Sequence, residues 1–117
     1  MLNTVPLRKN SDFMRVYKKG RYYAGKYMVL YTLANKTGKI RLGISVSKKL
    51  GKSVSRNRIR RLIRENYRLR ETSISQGIDL IFNARKTENF PTYDVIDREM
   101  TYLIRKLGVL NQEKSEF

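Results

Sequence analysis

The sequence predicts an α+β domain in which three helices pack on a small, mainly antiparallel sheet. Three observations predict it. Apolar residues recur with period two over 26–34 and 40–47, then with a period near 3.6 over 53–70 and again over 96–107. Glycines at 20, 38, 77 and 108 fall at the joints between these runs. The chain has 117 residues and is 40% apolar, enough for one modest core and too short for two.

Asn10 and Ser11 are placed to cap a first helix that contains Phe13, Met14, Val16 and Tyr17. Phe13 and Tyr17 lie four apart and so share a face, and Gly20 ends the helix. Lys26 to Ala34 alternates, with Tyr27, Val29, Tyr31 and Leu33 on one side and Met28, Leu30 and Thr32 on the other. A turn over 35–39, containing Gly38, leads to Ile40 to Ser47, where Ile40, Leu42, Ile44 and Val46 face inward. The two runs read as an antiparallel hairpin. From Ser53 to Arg70 the stripe is Ile59, Leu62, Ile63, Tyr67 and Leu69. Asn57, Arg61, Arg64 and Arg68 lie opposite, with Arg58 and Arg60 on the flanks. Ile78 to Ala84 is a third strand. Asn89 to Thr92 introduces a last helix with the stripe Ile96, Met100, Leu103, Ile104 and Leu107 and Gly108 as its stop. The order is helix, strand, strand, helix, strand, helix. One domain over 1–117 follows, with 1–9 and 110–117 read as frayed ends. The default for a strand–helix–strand unit is a right-handed crossover.

Charge dominates the functional reading. There are 26 Lys and Arg against 10 Asp and Glu, a net charge of +16. A charge of that size opposes compaction and calls for a polyanion. No run approaches the roughly 18 apolar residues of a membrane span, and MLNTVPLRKN lacks the apolar centre and cleavage site of a signal peptide. No membrane partner is expected, and the expected compartment is the cytoplasm. Cysteine and histidine are absent, which removes thiolate nucleophiles, the commonest general base and the usual zinc ligands. Gly51-Lys52-Ser53 sits where a phosphate loop would, but that motif requires glycine at the position of Val46.

The segment 48–70 holds ten basic residues and one acid, Glu65. Arg56–Arg60, Arg60–Arg64 and Arg64–Arg68 are like charges four apart, each destabilising a helix by about 0.2–0.5 kcal/mol. A merely solvated face mixes signs; this one needs an external anion. Arginine outnumbers lysine here, which suits forked hydrogen bonds to phosphate. Contacts to six to ten phosphates would weaken binding by roughly 10³–10⁵ between 50 and 200 mM salt. Phe13, Tyr17 and Tyr31 have two readings, as core residues or as surfaces on which unpaired bases stack, and periodicity alone favours core. Arg41, Ser45 and Ser47 share the polar strand face, which lines a groove if that face is open. DNA is not expected, because the helix offers phosphate-binding arginines more than a set of base-reading side chains.

SRNRIRRLIRE, at 55–65, resembles the arginine-rich motif of the bacterial ribonuclease P protein component. The wider block LGISVSKKLGKSVSRNRIRRLIRE, Leu42 to Glu65, is similar to that family's most characteristic stretch. SDFMRVYKKG resembles its first helix, and MVLYTL and DLIFNARK resemble two of its strands. The resemblance spans nearly the whole chain. It implies a ribosomal-protein-like α/β sandwich with a left-handed crossover, and this displaces the right-handed default. It further implies an accessory subunit of an endoribonuclease that removes the 5′ leader from precursor tRNA. Catalysis would lie with an RNA subunit and magnesium ions held mainly by RNA and substrate, with no catalytic residue, metal ligand or cofactor on the protein itself. Arg56, Asn57, Arg58, Arg60, Arg61 and Arg64, with Arg68 continuing the row, would contact the catalytic RNA. Phe13, Tyr17, Tyr31, Ser45, Lys48 and Lys49, with Arg41 on the same polar face, would line the cleft for the single-stranded leader. Tyr17 stands where the family often has phenylalanine, and an aromatic stack survives that change. A structural RNA-binding protein of the ribosome, or an RNA chaperone, is the alternative.

Overall fold

The computed structural model describes residues 3–110. Five strands and three helices make an α+β fold: β1 (Thr4–Pro6), α1 (Asn10–Lys19), β2 (Arg21–Ala24), β3 (Met28–Ala34), β4 (Ile40–Ser45), α2 (Ser53–Arg68), β5 (Ile78–Ala84) and α3 (Tyr93–Leu107). The strand order across the sheet is β1-β4-β5-β3-β2. β1–β4 and β4–β5 are parallel, while β5–β3 and β3–β2 are antiparallel, so the sheet is mixed rather than mainly antiparallel.

The centre belongs to β5, whose Asp79, Leu80, Ile81 and Phe82 are all buried. A strand covered on both faces reads as a continuous apolar run, and DLIF is the nearest to one in the chain. Its position overturns the expected hairpin between β3 and β4. β5 separates them, pairing Leu30 with Phe82 on one side and Leu42 with Leu80 on the other. Alternation had fixed which way each side chain points, and those faces hold; period two does not name a strand's neighbour. The hairpin that does form joins β2 to β3, with Tyr22 opposite Tyr31 and Gly25 N–H donating to Met28 O (2.7 Å).

Residues 3–9 are not frayed. β1 runs parallel to β4, Leu7 N–H extends the ladder to Leu42 O (2.9 Å), and the Leu7 side chain is buried. Pro6 fits because β1 is an edge strand. At the other end Leu110 bridges Ile74, and 111–117 lie outside the described residues.

Each sheet face has its own cluster. Met28, Leu30, Ile40, Leu42, Leu80 and Phe82 meet Ile59, Ile63 and Tyr67 of α2 and Ile96, Met100, Leu103 and Ile104 of α3. On the other face α1 lays Val16 against Ile81 and Leu7, with Phe13, Tyr17, Tyr31 and Leu33 partly buried around them. α2 ends at Arg68, so Leu69 faces solvent instead of completing the stripe; Asn66 takes the inner position, its Nδ2 donating to Leu62 O (3.0 Å). Neither Asn10 nor Ser11 caps α1: the cap position is Lys9, and no side chain bonds there. Gly20 has an ordinary φ of −79°, and its role is close approach, since a Cβ would lie 2.5 Å from Thr32 O. Thr92 does cap α3, accepting from Val95 N–H, and Gly108 closes it at φ 64°. Among the described residues no helix is long and apolar enough to cross a membrane.

Tyr67 ties α2 to β1. It is fully buried, and its hydroxyl shares a 2.8 Å hydrogen bond with Thr4 Oγ1. Burial pushes its pKa up to about 12; the Thr4 bond pulls it down and the charge of Glu71 adds to the rise. The folded state therefore keeps this proton from pH 10 to about 12 while the unfolded chain releases it. Its contribution is full below pH 10 and is lost as pH rises toward 12, at about 1.4 kcal/mol per pH unit. In urea unfolding from pH 8 to 11.5, the native protein should lose stability more steeply than Tyr67→Phe. Parallel curves for the two proteins would show that the hydroxyl ionises without cost to the fold.

Candidate nucleic-acid interface

The basic helix is anchored by its apolar side and aims its guanidinium groups outward in three directions. Ile59, Ile63 and Tyr67 are buried. Asn57, Arg61, Arg64 and Arg68 are exposed along the outer ridge. Arg60, half-buried, and Arg64 lean toward the β1–β4 edge, while Arg58 and Arg61 lean toward the start of α3.

Little neutralises this row. Arg68 pairs with Glu65 (2.8 Å), Arg56 Nη2 donates to Ser53 Oγ (3.3 Å) and Arg60 Nη1 donates to Asn57 Oδ1 (3.0 Å). Arg58 lies over the Phe90 ring, 4.6 Å from its centroid. The side chains of Arg61 and Arg64 make no hydrogen bond or ion pair with another described residue. Ahead of the helix Lys48 and Lys49 stand exposed on a single 3₁₀ turn, which Ser47 caps by accepting from Lys49 N–H (3.2 Å). Gly51 then turns the chain at φ 127°, a conformation open to glycine, so the glycine serves the turn into α2.

The second surface is the α1 side of the sheet. Phe13, Tyr17, Tyr31 and Tyr22 form a continuous row, with centroid separations of 6.3, 4.8 and 5.4 Å. Phe13 can reach the sheet only because position 43 is glycine: a Cβ there would lie 2.6 Å from Phe13 Cζ. Beyond α1 the sheet continues as a strip in which Ser45 pairs with Asn83, Asn83 with Val29 and Val29 with Ala24. Tyr17 Oη donates to Asn83 Oδ1 (3.0 Å) at the boundary between the aromatic row and this strip. Phe13, Tyr17 and Tyr31 are half-buried, so each is both part of the minor core and part of a surface.

Arg41 is held differently from the others. Its Nε and Nη2 each donate to the buried Asp79 at 2.7 Å, and Nη1 lies 3.6 Å from Asp12. These carboxylates raise its pKa further, hydrogen bonding to Asp79 outweighing the cost of burial. Asp79 also accepts from Asn35 Nδ2 (2.7 Å) and contacts Arg15 (3.5 Å). Arg41 is therefore committed to the fold. The same cluster shows that two acids distant in sequence, Asp12 and Asp79, do meet, with Arg41 and Arg15 between them.

The two surfaces converge at the β4 edge. A cavity of about 460 Å³ is lined by Phe13, Gly43 and Ile44 on one side and Arg60 and Arg64 on the other. Asn83, Tyr22 and Gly43 were not singled out from the sequence. Asn83 left a trace, a polar residue breaking the apolar DLIF run in step with Ile81 and Asp79; Gly43 left none beyond its place on the polar side of an alternating strand.

Comparison with known proteins identifies the family. The model of the ribonuclease P family matches residues 1–108. The chain belongs to the ribonuclease P protein family. It is 46% identical over 107 residues to a ribonuclease P protein component of Clostridioides difficile, covering 91% of this chain and 94% of that one. It is 45% identical over 106 residues to one from Clostridium botulinum, covering 90% and 96%. The solved structure of the Staphylococcus aureus RNase P protein superposes with a TM-score of 0.83 at 41% identity, covering 91% of this chain and 97% of that one.

Removing the uncompensated charge should stabilise the free protein. Arg60→Gln with Arg64→Gln abolishes all three like-charge spacings on α2. Urea unfolding at about 20 mM salt should show a gain of about 1 kcal/mol that disappears near 0.5 M. A gain that persists in high salt would mean that something other than repulsion had been relieved.

Proposed function

We propose that the chain is the protein subunit of a ribonuclease P ribonucleoprotein that removes the 5′ leader from precursor tRNA in the cytoplasm. In this reading α2 binds the catalytic RNA through Arg56, Asn57, Arg58, Arg60, Arg61, Arg64 and Arg68. The single-stranded leader lies along Phe13, Tyr17 and Tyr31 toward Ser45, Lys48 and Lys49, and Asn83 joins the floor. Family membership supports the reading. The observation that carries it is the shared cavity at the β4 edge, where an aromatic floor meets two guanidinium groups. A strand leaving a folded RNA can be gripped by its phosphates at Arg60 and Arg64 and stacked by its bases at Phe13 within a few ångströms.

The donor set on these faces suits anions and not a metal ion. Asp12 and Asp79 are tied to Arg41 and Arg15, Glu65 is tied to Arg68, and no three acids converge among the described residues. In this reading magnesium would be held by the RNA subunit and the substrate, where it would supply an activated water and charge neutralisation for phosphodiester cleavage. What the protein residues contribute is charge compensation of close-packed phosphates, which lowers the concentration of metal ion that RNA folding and substrate binding need.

Reconstitution tests this. The protein alone should cleave nothing, and it should lower the magnesium requirement of its RNA partner. Arg58→Gln, Arg60→Gln and Arg61→Gln combined should weaken assembly and flatten the dependence of log affinity on log salt by roughly two to three. Phe13→Ala should weaken binding of leader-bearing precursor about tenfold, the loss of one stacked base, while mature tRNA binds as before. Cleavage by RNA-free protein, or an equal loss for precursor and mature tRNA, would overturn the assignment.

A further inference from the structure

A second recess flanks α2 on the side away from the aromatic floor. It has a volume of about 570 Å³ and lies between α2 and the segment leading into α3. Leu62 and Pro91 line its base, Phe90 and Tyr93 its wall, and Arg58, Arg61 and Glu65 its rim. Phe90 and Tyr93 are each 40% exposed, and neither belongs to the core on this side of the sheet. Two large rings held out of the core, beside uncompensated arginines, suit a planar ligand that carries negative charge.

We infer that this recess binds an unpaired guanine nucleotide of an RNA, with the base stacked at Tyr93 and Phe90, its phosphate on Arg58 and Arg61, and its Watson–Crick edge on Glu65. The inference rests on the proposal that the partner of α2 is RNA, and it adds a base-specific contact to a helix otherwise equipped for phosphate.

Charge selects the class of occupant. The rim carries two guanidinium groups, and Arg61 has no partner of its own among the described residues. A cation already sits at the wall, since the guanidinium carbon of Arg58 lies over the Phe90 ring, 4.6 Å from its centroid. A base adjoining that pair extends an existing contact and desolvates little that is polar.

Glu65 selects the base. It is the one acid on α2, and a single carboxylate oxygen, Oε2, is engaged by Arg68. Each carboxylate oxygen accepts two hydrogen bonds, so the Arg68 contact leaves acceptor capacity on both. Guanine presents two adjacent donors, N1–H and N2–H₂, and so matches a carboxylate along its edge. Adenine and cytosine each set a ring acceptor beside their amino group, and uracil flanks its single donor with two carbonyl oxygens. Those acceptors would face a negative charge.

Titration of the full chain with guanosine 5′-monophosphate, followed by NMR, tests this directly. The Leu62 methyl and Tyr93 ring signals should shift to saturation, at a concentration about tenfold lower than for adenosine 5′-monophosphate. Inorganic phosphate at equal ionic strength should leave both signals in place. Tyr93→Ala, at an exposed position, should weaken guanosine monophosphate about tenfold, and Glu65→Gln should erase the preference over the adenine nucleotide. Equal shifts with all three probes, or an unaltered response in Tyr93→Ala, would overturn the inference. A protein that supports precursor cleavage with its RNA yet shows no nucleotide-induced shift at Leu62 and Tyr93 would sink this pocket alone and leave the proposed function standing.

Discussion

Crowding of like charge on one helix is the constraint around which this molecule is arranged. α2 carries six arginines and one acid between Ser53 and Arg68. Three like-charge pairs at a spacing of four cost about 1 kcal/mol together. Burial of Ile59, Ile63 and Tyr67 on the opposite side returns roughly 1.5–3 kcal/mol for each side chain. Burial wins, so the helix stands without a partner and presents its charges already ordered. A flexible basic segment would spend binding free energy on ordering itself; this one has met that cost through the core.

The sheet determines how the arginine row lies relative to the aromatic floor. On β4, Leu42 and Ile44 point toward α2, while Gly43 and Ser45 point toward α1. A slip of one residue would exchange the two sets. The Arg41–Asp79 pair opposes that slip. It joins the register partners of β4 and β5 through a carboxylate that is fully buried and accepts from Arg41 and Asn35. Breaking such a pair from one side strands a buried charge, typically at about 3–5 kcal/mol. Arg41 thus serves the interface by fixing the strand that carries it.

The helices were legible because a 3.6-residue period reports directly on a one-sided helix: the stripes of α2 and α3 were read almost residue for residue, and Leu69 failed only because the helix stops first. The sheet was legible in its faces and not in its order. Tyr31 and Leu42 alternate in the same way whichever strand lies beside them, so the insertion of β5 between β3 and β4 left no mark in either run. β1 and β2 have three and four residues, too few for a period to register, and β2 is exposed along its whole length. On the candidate interface, the arginine row could be read from spacing alone. The aromatic row could not be separated from core by spacing, since Phe13, Tyr17 and Tyr31 belong to both.

Identical residue types meet opposite fates here, and the difference lies in where the acids go. Arg41 and Arg15 are drawn to Asp79 and Asp12, and Arg70 is fastened to Asp97 and Thr101 of α3. These arginines stabilise the fold and have little left to offer a ligand. Asp12, Asp79 and Asp97 all lie outside the segment 48–70, and within it the single acid, Glu65, engages only Arg68. A net charge of +16 therefore understates the asymmetry, because the acids neutralise arginines at structural joints and leave the α2 ridge bare. The excess charge is concentrated where a close-packed run of phosphates could approach it. That distribution, more than the total, is what makes α2 the candidate surface for a polyanion.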